Sequence, residues 1–262
     1  MNTIFWNVNL KKVNLNLIKL FEKHDLDILI LAEYKDNDKA LLREGLKSGI
    51  EIFSIPQGIC NRIKIFSKYK PSNFELILET EYYVIVSFSH KTLGKILIVS
   101  VHLPSKTNAN EIDMLVEGIN LKKDINHAEN IVGYKNTILV GDFNMNPFEK
   151  PMITAAALHA LPTKNEVRDE ERTIRFKNYN MFYNPMWKFI AEEENGTYYY
   201  SSPPQDGFRW NYFDQVMVRP GICENITDVK IIKEIGGKRI VTKKETPLKT
   251  YSDHLPIYFN IQ

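Results

Sequence analysis

Several apolar runs in this chain end beside a polar side chain that can bind a metal ion or transfer a proton. They are Asn7 after residues 3–6, Glu33 after residues 28–32, His102 after residues 96–101, Asp142 and Asn144 after residues 138–141, Asp214 within residues 213–218, and Asp253 and His254 before residues 255–257. Short apolar runs rich in Ile, Val and Phe are typical of buried strands. The pattern therefore predicts a set of polar side chains at the edges of a sheet core.

The residue types in this set suit the binding of a metal ion with a phosphate group beside it. A hard divalent cation prefers carboxylate and amide oxygens. A phosphate group next to that cation prefers N–H donors and cationic partners. Each residue alone would be interpreted as a turn residue, a helix cap or an ordinary buried histidine. Together they predict one site that holds both a cation and a phosphate.

The motifs around these residues follow one another in a characteristic order. They are WN at 6–7, LAE at 31–33, SVHLP at 100–104, GDFNMNP at 141–147, FDQVMV at 213–218 and SDHLP at 252–256. This order resembles the exonuclease–endonuclease–phosphatase superfamily, which includes deoxyribonucleases, abasic-site endonucleases, inositol polyphosphate phosphatases and neutral sphingomyelinases. The resemblance implies an α/β fold, a four-layered sandwich of two packed β-sheets flanked by helices. It also implies hydrolysis of phosphoesters by in-line attack of water, with Mg²⁺ or Mn²⁺ as cofactor.

The resemblance implies a role for each acid and amide. Glu33 is the expected metal ligand, Asn7 completes or orients its shell, and Asp253 is a carboxylate near the metal. Asp142 is expected to orient and deprotonate the attacking water. Asn144 is expected to hold a phosphoryl oxygen or the same water.

The histidines complete the expected machinery. His254 would donate hydrogen bonds to the phosphoryl group, with Asp214 as the carboxylate that orients its other ring nitrogen. His102 matches a position that contacts phosphate or assists the leaving group. The deoxyribonuclease branch pairs that histidine with a further glutamate, for which this sequence offers no clear counterpart.

Three cations are candidates for binding substrate phosphate. Arg62 and Lys64 lie on one face of the expected strand at residues 62–66, where many nucleases of the family carry Gly-x-Ala-Ile-Leu-Ser instead. Arg209 lies among aromatic residues just before Asp214, and an arginine in that setting can stack on bases or grip phosphates. The alternatives are a solvated strand face for the first two and ordinary packing for the third.

The rest of the chain predicts one domain, residues 1–262, of interleaved strands and helices. Expected strands lie at residues 3–6, 27–31, 50–55, 62–66, 75–78, 82–88, 95–101, 137–140, 197–200, 212–218 and 255–260. The longest expected helix spans residues 110–131, with an apolar stripe formed by Ile112, Leu115, Val116, Ile119, Ala128 and Ile131. Residues 147–196 have weak periodicity and are interpreted as an elaborated connection over the structure that selects substrate.

Composition says more about the cellular location of the protein than about its function. The 34 Lys and Arg against 32 Asp and Glu give a net charge of +2, which neither demands nor excludes a polyanionic partner. Two cysteines, Cys60 and Cys223, and an N-terminus without a signal-peptide pattern predict a cytoplasmic protein. No apolar run approaches the roughly 20 residues of a membrane helix, so membrane insertion is not expected. Oligomeric state is left open.

Two enzymatic functions and one non-catalytic function fit these features. We expect a metal-dependent nuclease, a phosphodiesterase acting on nucleic acid. The alternative is a phosphatase or phospholipase of the same superfamily, acting on inositol phosphates, phospholipid or nucleotides. A binding protein without turnover is disfavoured because every acid, amide and histidine position is retained. The sequence does not decide whether the substrate is DNA or RNA. It also leaves open whether cleavage is internal or terminal.

Overall fold

The computed structural model describes residues 1–202 and 207–262. The helices are α1 (Asn14–His24), α2 (Asp38–Lys47), α3 (Glu111–Val132), α4 (Lys150–Ile153) and α5 (Trp187–Ala191). The strands are β1 (Asn2–Asn7), β2 (Ile28–Ala32), β3 (Phe53–Ser54), β4 (Ile63–Ser67), β5 (Phe74–Glu79), β6 (Tyr83–His90), β7 (Gly94–His102), β8 (Thr137–Asp142), β9 (Ala160–Leu161), β10 (Glu171–Ile174), β11 (Lys177–Asn180), β12 (Phe182–Tyr183), β13 (Tyr198–Tyr199), β14 (Trp210–Asn211), β15 (Asp214–Val218), β16 (Ile226–Ile231), β17 (Glu234–Ile235), β18 (Lys238–Arg239) and β19 (Ile257–Ile261).

Two large mixed sheets pack face to face. One has six strands in the order β16-β19-β1-β2-β4-β3, and the other has seven in the order β5-β6-β7-β8-β15-β12-β9. One apolar core lies between them and draws side chains from both sheets. Two further cores cover the outer faces, where α1 and α2 pack on the six-stranded sheet and α3 packs on the seven-stranded sheet. The predicted four-layered α/β sandwich is confirmed.

Period-two alternation assigns the side chains of β1 to their layers. Ile4 and Trp6 join the core beneath α1 and α2, whereas Phe5 joins the core between the sheets. Successive side chains of a strand point to opposite faces, so a strand buried on both faces is apolar throughout. All three side chains have no exposed surface. Continuous apolar runs therefore mark the central strands of this fold.

Helix α3 forms where it was expected but buries a different face. Asn110 caps it, because its side chain accepts hydrogen bonds from the backbone N–H groups of Ile112 and Asp113, and Asp113 reciprocates. Apart from Ala128, which is buried, the predicted stripe is wrong, since Ile112 is 73% exposed and Ile131 is 57% exposed. The buried face instead carries Met114, Gly118, Leu121, Lys122, Ile125, Ala128 and Glu129. Two polar residues on that face weakened the periodic signal.

Other sequence-based boundaries need smaller corrections. The strand expected at residues 50–55 is reduced to the two residues of β3, and β16 and α2 were not predicted. β16 was missed because it is an edge strand with a buried pattern of only two residues in six. Among the described helices, none has the length and apolar character needed to cross a bilayer. Cys60 and Cys223 are both buried and unpaired.

Residues 147–196 contribute to the sandwich rather than lying wholly over it. β9 and β12 extend the seven-stranded sheet, and Tyr183 of β12 pairs with Val218 at the far end of β15. The hairpin β10–β11 precedes β12, and its Asn180 accepts a hydrogen bond from Lys135, which lies just before β8. The hairpin is therefore near the end of the sheet opposite Asp142. The first residues of the segment lie near Asp142, as described below.

Candidate active site

The strand pairing of the seven-stranded sheet brings three predicted residues side by side. β7 and β8 are parallel with His102 opposite Asp142, and β15 is antiparallel with Asp214 opposite the same Asp142. All three residues are at least 93% buried. In the six-stranded sheet, parallel strands β1 and β2 end together at Asn7 and Ala32, and Glu33 follows. The carboxyl ends of four strands thus meet at one end of the sandwich.

Gly141 permits the close approach that places Asp142. A Cβ atom at this position would lie 2.0 Å from the carbonyl oxygen of Val101 and 2.7 Å from a methyl carbon of the same residue. No larger residue fits without separating β7 from β8. The glycine of the GDFN motif is therefore a packing requirement of the site.

The amide of Asn7 lies between two carboxylates. Its Nδ2 donates to Asp142 Oδ2 at 3.0 Å and to Glu33 Oε1 at 3.4 Å, while its Oδ1 accepts the backbone N–H of Asn9 at 3.0 Å. This hydrogen bond to Asn9 fixes which end of the amide faces the carboxylates. Asn7 thus bridges the Glu33 and Asp142 carboxylates.

Two residues at strand ends adopt the left-handed backbone conformation. Glu33 has φ of 52° and Asn144 has φ of 53°. Asparagine tolerates this region, but glutamate seldom occupies it, so the fold imposes local strain to aim Glu33 into the cleft. The backbone N–H of Asn144 donates to Asp142 Oδ1 at 2.9 Å, and its Nδ2 donates to the carbonyl of Leu103 at 3.0 Å. Asn144 is thus held by Asp142 at its backbone and by Leu103 at its side chain.

The donor set fits a hard divalent cation. Oxygens of Glu33 and Asp142 converge on the same amide nitrogen, and Asp253 lines the same cleft. These are anionic oxygens of the kind that Mg²⁺ and Mn²⁺ bind. Ligand atoms of Asp142, Asp214 and His254 also lie within 4.8 Å of one another. His254 is already bonded to Asp214, so the Glu33–Asp142 side of the cleft is the better cation position.

His254 lies between two buried acids. Its Nδ1 is 2.8 Å from Asp214 Oδ2, and its Nε2 is 3.8 Å from Asp142 Oδ2. Burial alone would lower the pKa of His254, but the charges of Asp214, Asp142 and Asp253 outweigh it and raise the pKa to about 10. Burial raises the pKa of Asp214, and the charge of His254 opposes that rise. The acids around His254 therefore favour its protonated form.

Two side chains from the other motifs hold the His254 loop against β1. Trp6 Nε1 donates to the His254 carbonyl at 3.0 Å. Ser252 Oγ donates to the Asn7 carbonyl at 2.7 Å and accepts the His254 N–H at 3.1 Å. Trp6 of WN and Ser252 of SDH thus hold the backbone in place, and the residues that follow them line the cleft.

His102 completes the ring of polar groups. Its Nε2 lies 3.5 Å from Glu33 Oε1 and 3.9 Å from Asp142 Oδ2. Within the described chain, its buried Nδ1 has no hydrogen-bond partner. The backbone N–H of His102 donates to the Tyr82 carbonyl at 2.8 Å. His102 therefore faces the acids directly.

The three predicted cations are placed differently. Arg62 stacks over Tyr82 at 4.9 Å and lines a groove of about 410 Å³ together with Glu33 and His102. Lys64 instead lies 3.7 Å from Asp38 and, among the residues described, is not part of the cleft lining. Arg209 donates to the Tyr199 hydroxyl and to a neighbouring carbonyl, on the strand pair beside the cleft. Arg62 alone is thus adjacent to the acids.

Sequence reasoning missed the aromatic wall of the cleft. The cleft has a volume of about 530 Å³, and Tyr198, Tyr200, Phe213 and Lys106 line it beside the predicted residues. The ring of Tyr198 lies 4.7 Å from that of His254 and stacks on Phe213 at 5.4 Å. The missed signal was the period-two spacing of Tyr198 and Tyr200 in a run of three tyrosines.

Comparison with known proteins agrees with this geometry. A model of the Endonuclease/Exonuclease/phosphatase family matches residues 4–254. An AP endonuclease from Archaeoglobus fulgidus has a similar fold, with a TM-score of 0.59, 14% identity and coverage of 100% of this chain and 99% of that one. The 3′ phosphatase NExo from Neisseria, bound to product DNA hairpin, gives a TM-score of 0.60, 14% identity and coverage of 100% and 99%.

The human Nocturnin catalytic domain gives a TM-score of 0.56 at 14% identity, with coverage of 100% of this chain and 94% of that one. No curated protein sequence matches significantly. At these identities the solved structures establish the shared fold, whereas the family match spans every motif from β1 to the SDH turn. The chain therefore belongs to the Endonuclease/Exonuclease/phosphatase family of phosphoester hydrolases.

Proposed function

We propose that the protein is a divalent-metal-dependent nuclease, a phosphodiesterase that cleaves nucleic acid by in-line attack of water. The observation that carries the proposal is the surroundings of Asp142. Its Oδ2 lies 3.0 Å from Asn7 Nδ2, 3.9 Å from His102 Nε2 and 3.8 Å from His254 Nε2. A buried carboxylate surrounded by these groups suits a base that accepts a proton from water at a phosphate.

The chain supplies the remaining elements of the reaction. Asp142 orients the water and takes its proton, while the backbone N–H of Asn144 holds the Asp142 carboxylate at 2.9 Å. His254, held as an imidazolium by Asp214, donates hydrogen bonds to the phosphoryl oxygens as negative charge builds on them. His102 faces the other side of the acids, where it can contact the phosphate or the departing oxygen.

A cation bound by Glu33 and Asp142, with Asp253 close by, would supply charge neutralisation at the phosphate and a more acidic water. Asn7 would hold both carboxylates in place for it. We propose Mg²⁺ or Mn²⁺, because the donors are carboxylate oxygens and the sulfur ligands preferred by softer metals are absent from the described cleft lining.

The cleft surroundings favour a nucleic acid substrate. Tyr198 and Tyr200 form an aromatic wall, and Arg62 stacks over Tyr82 in the adjoining groove. Aromatic rings and an adjacent arginine suit stacked bases and a phosphate backbone. Similar folds include an AP endonuclease and a phosphatase with DNA in its structure.

The test is a substrate panel with Mg²⁺ or Mn²⁺ present. It contains supercoiled and linear DNA, single-stranded RNA, abasic duplex, inositol phosphates and sphingomyelin. We expect cleavage of a nucleic acid, lost on chelation and reduced about a hundredfold to ten-thousandfold in Asp142→Asn and in His254→Gln. Asp228→Asn, a change on edge strand β16, is the matched control and should retain activity.

Two results would overturn the nuclease assignment. Release of phosphate from inositol phosphates or choline phosphate from sphingomyelin, with every nucleic acid intact, would assign the alternative activity of the superfamily. Metal binding without turnover of any substrate would indicate a binding protein.

A further inference from the structure

A second cavity adjoins the catalytic cleft. It has a volume of about 460 Å³. We call it the side cavity and define it by its apolar lining of Ala109, Met114, Phe148 and Pro151. Its walls come from the chain that follows His102 and the chain that follows the GDFN motif. The same two loops that leave the catalytic strands thus build this cavity.

Lys106 forms the boundary between the side cavity and the cleft. It lines both, its Nζ lies 2.7 Å from Glu149 Oε1, and it is 5.5 Å from the ring centre of Phe213. Glu149 lines the side cavity and Phe213 lines the cleft. The cleft and the side cavity therefore meet at this lysine.

The side cavity has one aromatic side chain, Phe148, in its lining, together with polar and charged groups. Phe148 is 36% exposed, and its ring lies 5.5 Å from that of Phe208 and 6.5 Å from that of Trp187. An ion pair of 2.9 Å between Lys150 and Glu111 lies at the rim. An apolar pocket with a few convergent donors and acceptors is the usual form of a site for a planar, partly polar ligand.

We propose that the side cavity receives the base of the nucleotide whose phosphate lies in the catalytic cleft. The inference rests on the proposed nuclease function and adds a base-binding subsite to it. Phe148 supplies a face for stacking, which any base can use. Lys106 stands beside the phosphate, and the rim charges face the polar edge of the base.

Direct binding tests the proposal without relying on turnover. The probes are adenosine 5′-monophosphate and ribose 5-phosphate, titrated calorimetrically in Mg²⁺, with release of inorganic phosphate monitored in the same samples. We expect the nucleotide to bind at least tenfold more tightly than the sugar phosphate, because stacking of one base contributes at least that much. Equal affinity for the two probes would overturn the proposal.

Two variants locate the base. Phe148→Ala removes the stacking face, and Ala109→Trp fills the cavity but also narrows the Arg62 groove, which Ala109 lines as well. Each should bring the nucleotide affinity down to within about threefold of the sugar phosphate, and Phe148→Ala should leave the sugar phosphate affinity unchanged. Phe176→Ala, on the exposed hairpin, and Ala156→Trp, on an exposed turn, are the matched controls. Phe148 lines the side cavity but, in the described chain, not the Arg62 groove, so an unchanged preference in Phe148→Ala places the base elsewhere.

Failure of this inference is distinguishable from failure of the proposed function. If the wild-type protein cleaves nucleic acid but does not prefer the nucleotide, the nuclease assignment stands and the side cavity is not a base subsite. If the nucleotide is preferred through Phe148 but no nucleic acid is cleaved, the subsite stands and the polymer substrate is wrong.

Discussion

Asp214 and His254 are joined by a 2.8 Å contact between Oδ2 and Nδ1 that spans the two sheets of the sandwich. Asp214 begins β15 of the seven-stranded sheet, whereas His254 lies in the turn that leads to β19 of the six-stranded sheet. The pair therefore forms only when the sheets are packed together. The geometry of the candidate active site therefore depends on how the two sheets pack as well as on the residues themselves.

Replacing Asp214 tests whether this contact orients and charges His254. Asp214→Asn keeps the size of the side chain but removes the charge that holds the imidazolium. We expect kcat to fall about ten- to a hundredfold and KM to stay nearly unchanged, because His254 loses the partner that orients it. Steady-state kinetics on the cleaved substrate measures the effect. Unchanged kcat would show that His254 does not depend on Asp214, and Asp228→Asn controls for the loss of an acid elsewhere.

Glu33 is predicted to hold the cation. Glu33→Gln removes one anionic oxygen from the pair that converges on Asn7, so we expect Mn²⁺ affinity to fall at least about tenfold. Calorimetric titration of Mn²⁺ and the metal dependence of activity give two independent measurements. Glu44→Gln, on α2, is the control. If both variants bind Mn²⁺ like the wild type, the cation lies elsewhere.

Gly141→Ala should destabilise the fold more than an ordinary glycine replacement. The new Cβ would meet the backbone oxygen of Val101 at 2.0 Å, which forces β7 and β8 apart. We expect a loss of at least about 2–3 kcal/mol in the free energy of unfolding, measured by urea denaturation. Gly94→Ala is the matched control: Gly94 has φ of 71° with open space around it, so its cost is about 1 kcal/mol. Equal losses in the two variants would contradict the packing argument.

His159 predicts a loss of stability in mild acid. Burial, aided by the charges of Lys122 and Arg172, lowers its pKa from 6.5 to about 4. Between these two values the unfolded chain binds more protons than the folded one, so stability falls as pH falls from about 6.5 to 4. The full contribution is up to about 3 kcal/mol.

His159→Gln should flatten the pH dependence of the unfolding free energy across this window. His127→Gln, an exposed histidine on α3, should leave it unchanged. Urea denaturation at several pH values between 4 and 7 makes the comparison. A variant with the same slope as the wild type would show that the imidazole titrates normally in the folded protein.

Much of the fold followed from local patterns. Apolar runs marked the central strands because those strands are buried on both faces, and the polar residues after them marked the strand ends. Edge elements were less visible, since β16 buries only part of its length. The buried face of α3 was also missed, because Lys122 and Glu129 lie on it: Lys122 donates to two backbone carbonyls and Glu129 pairs with Arg219 at 2.7 Å.

By itself, the sequence determined the central strands, the identity of the polar groups beside them and the family to which the chain belongs. These are encoded in short motifs whose chemistry is local. Only the tertiary structure decided that Lys64 turns to Asp38, that Arg62 stacks on Tyr82 beside the acids, and that Phe148 and Ala109 enclose a cavity next to the cleft. Such relationships join residues far apart in the chain, and they are set by sheet packing and loop paths that no single motif specifies.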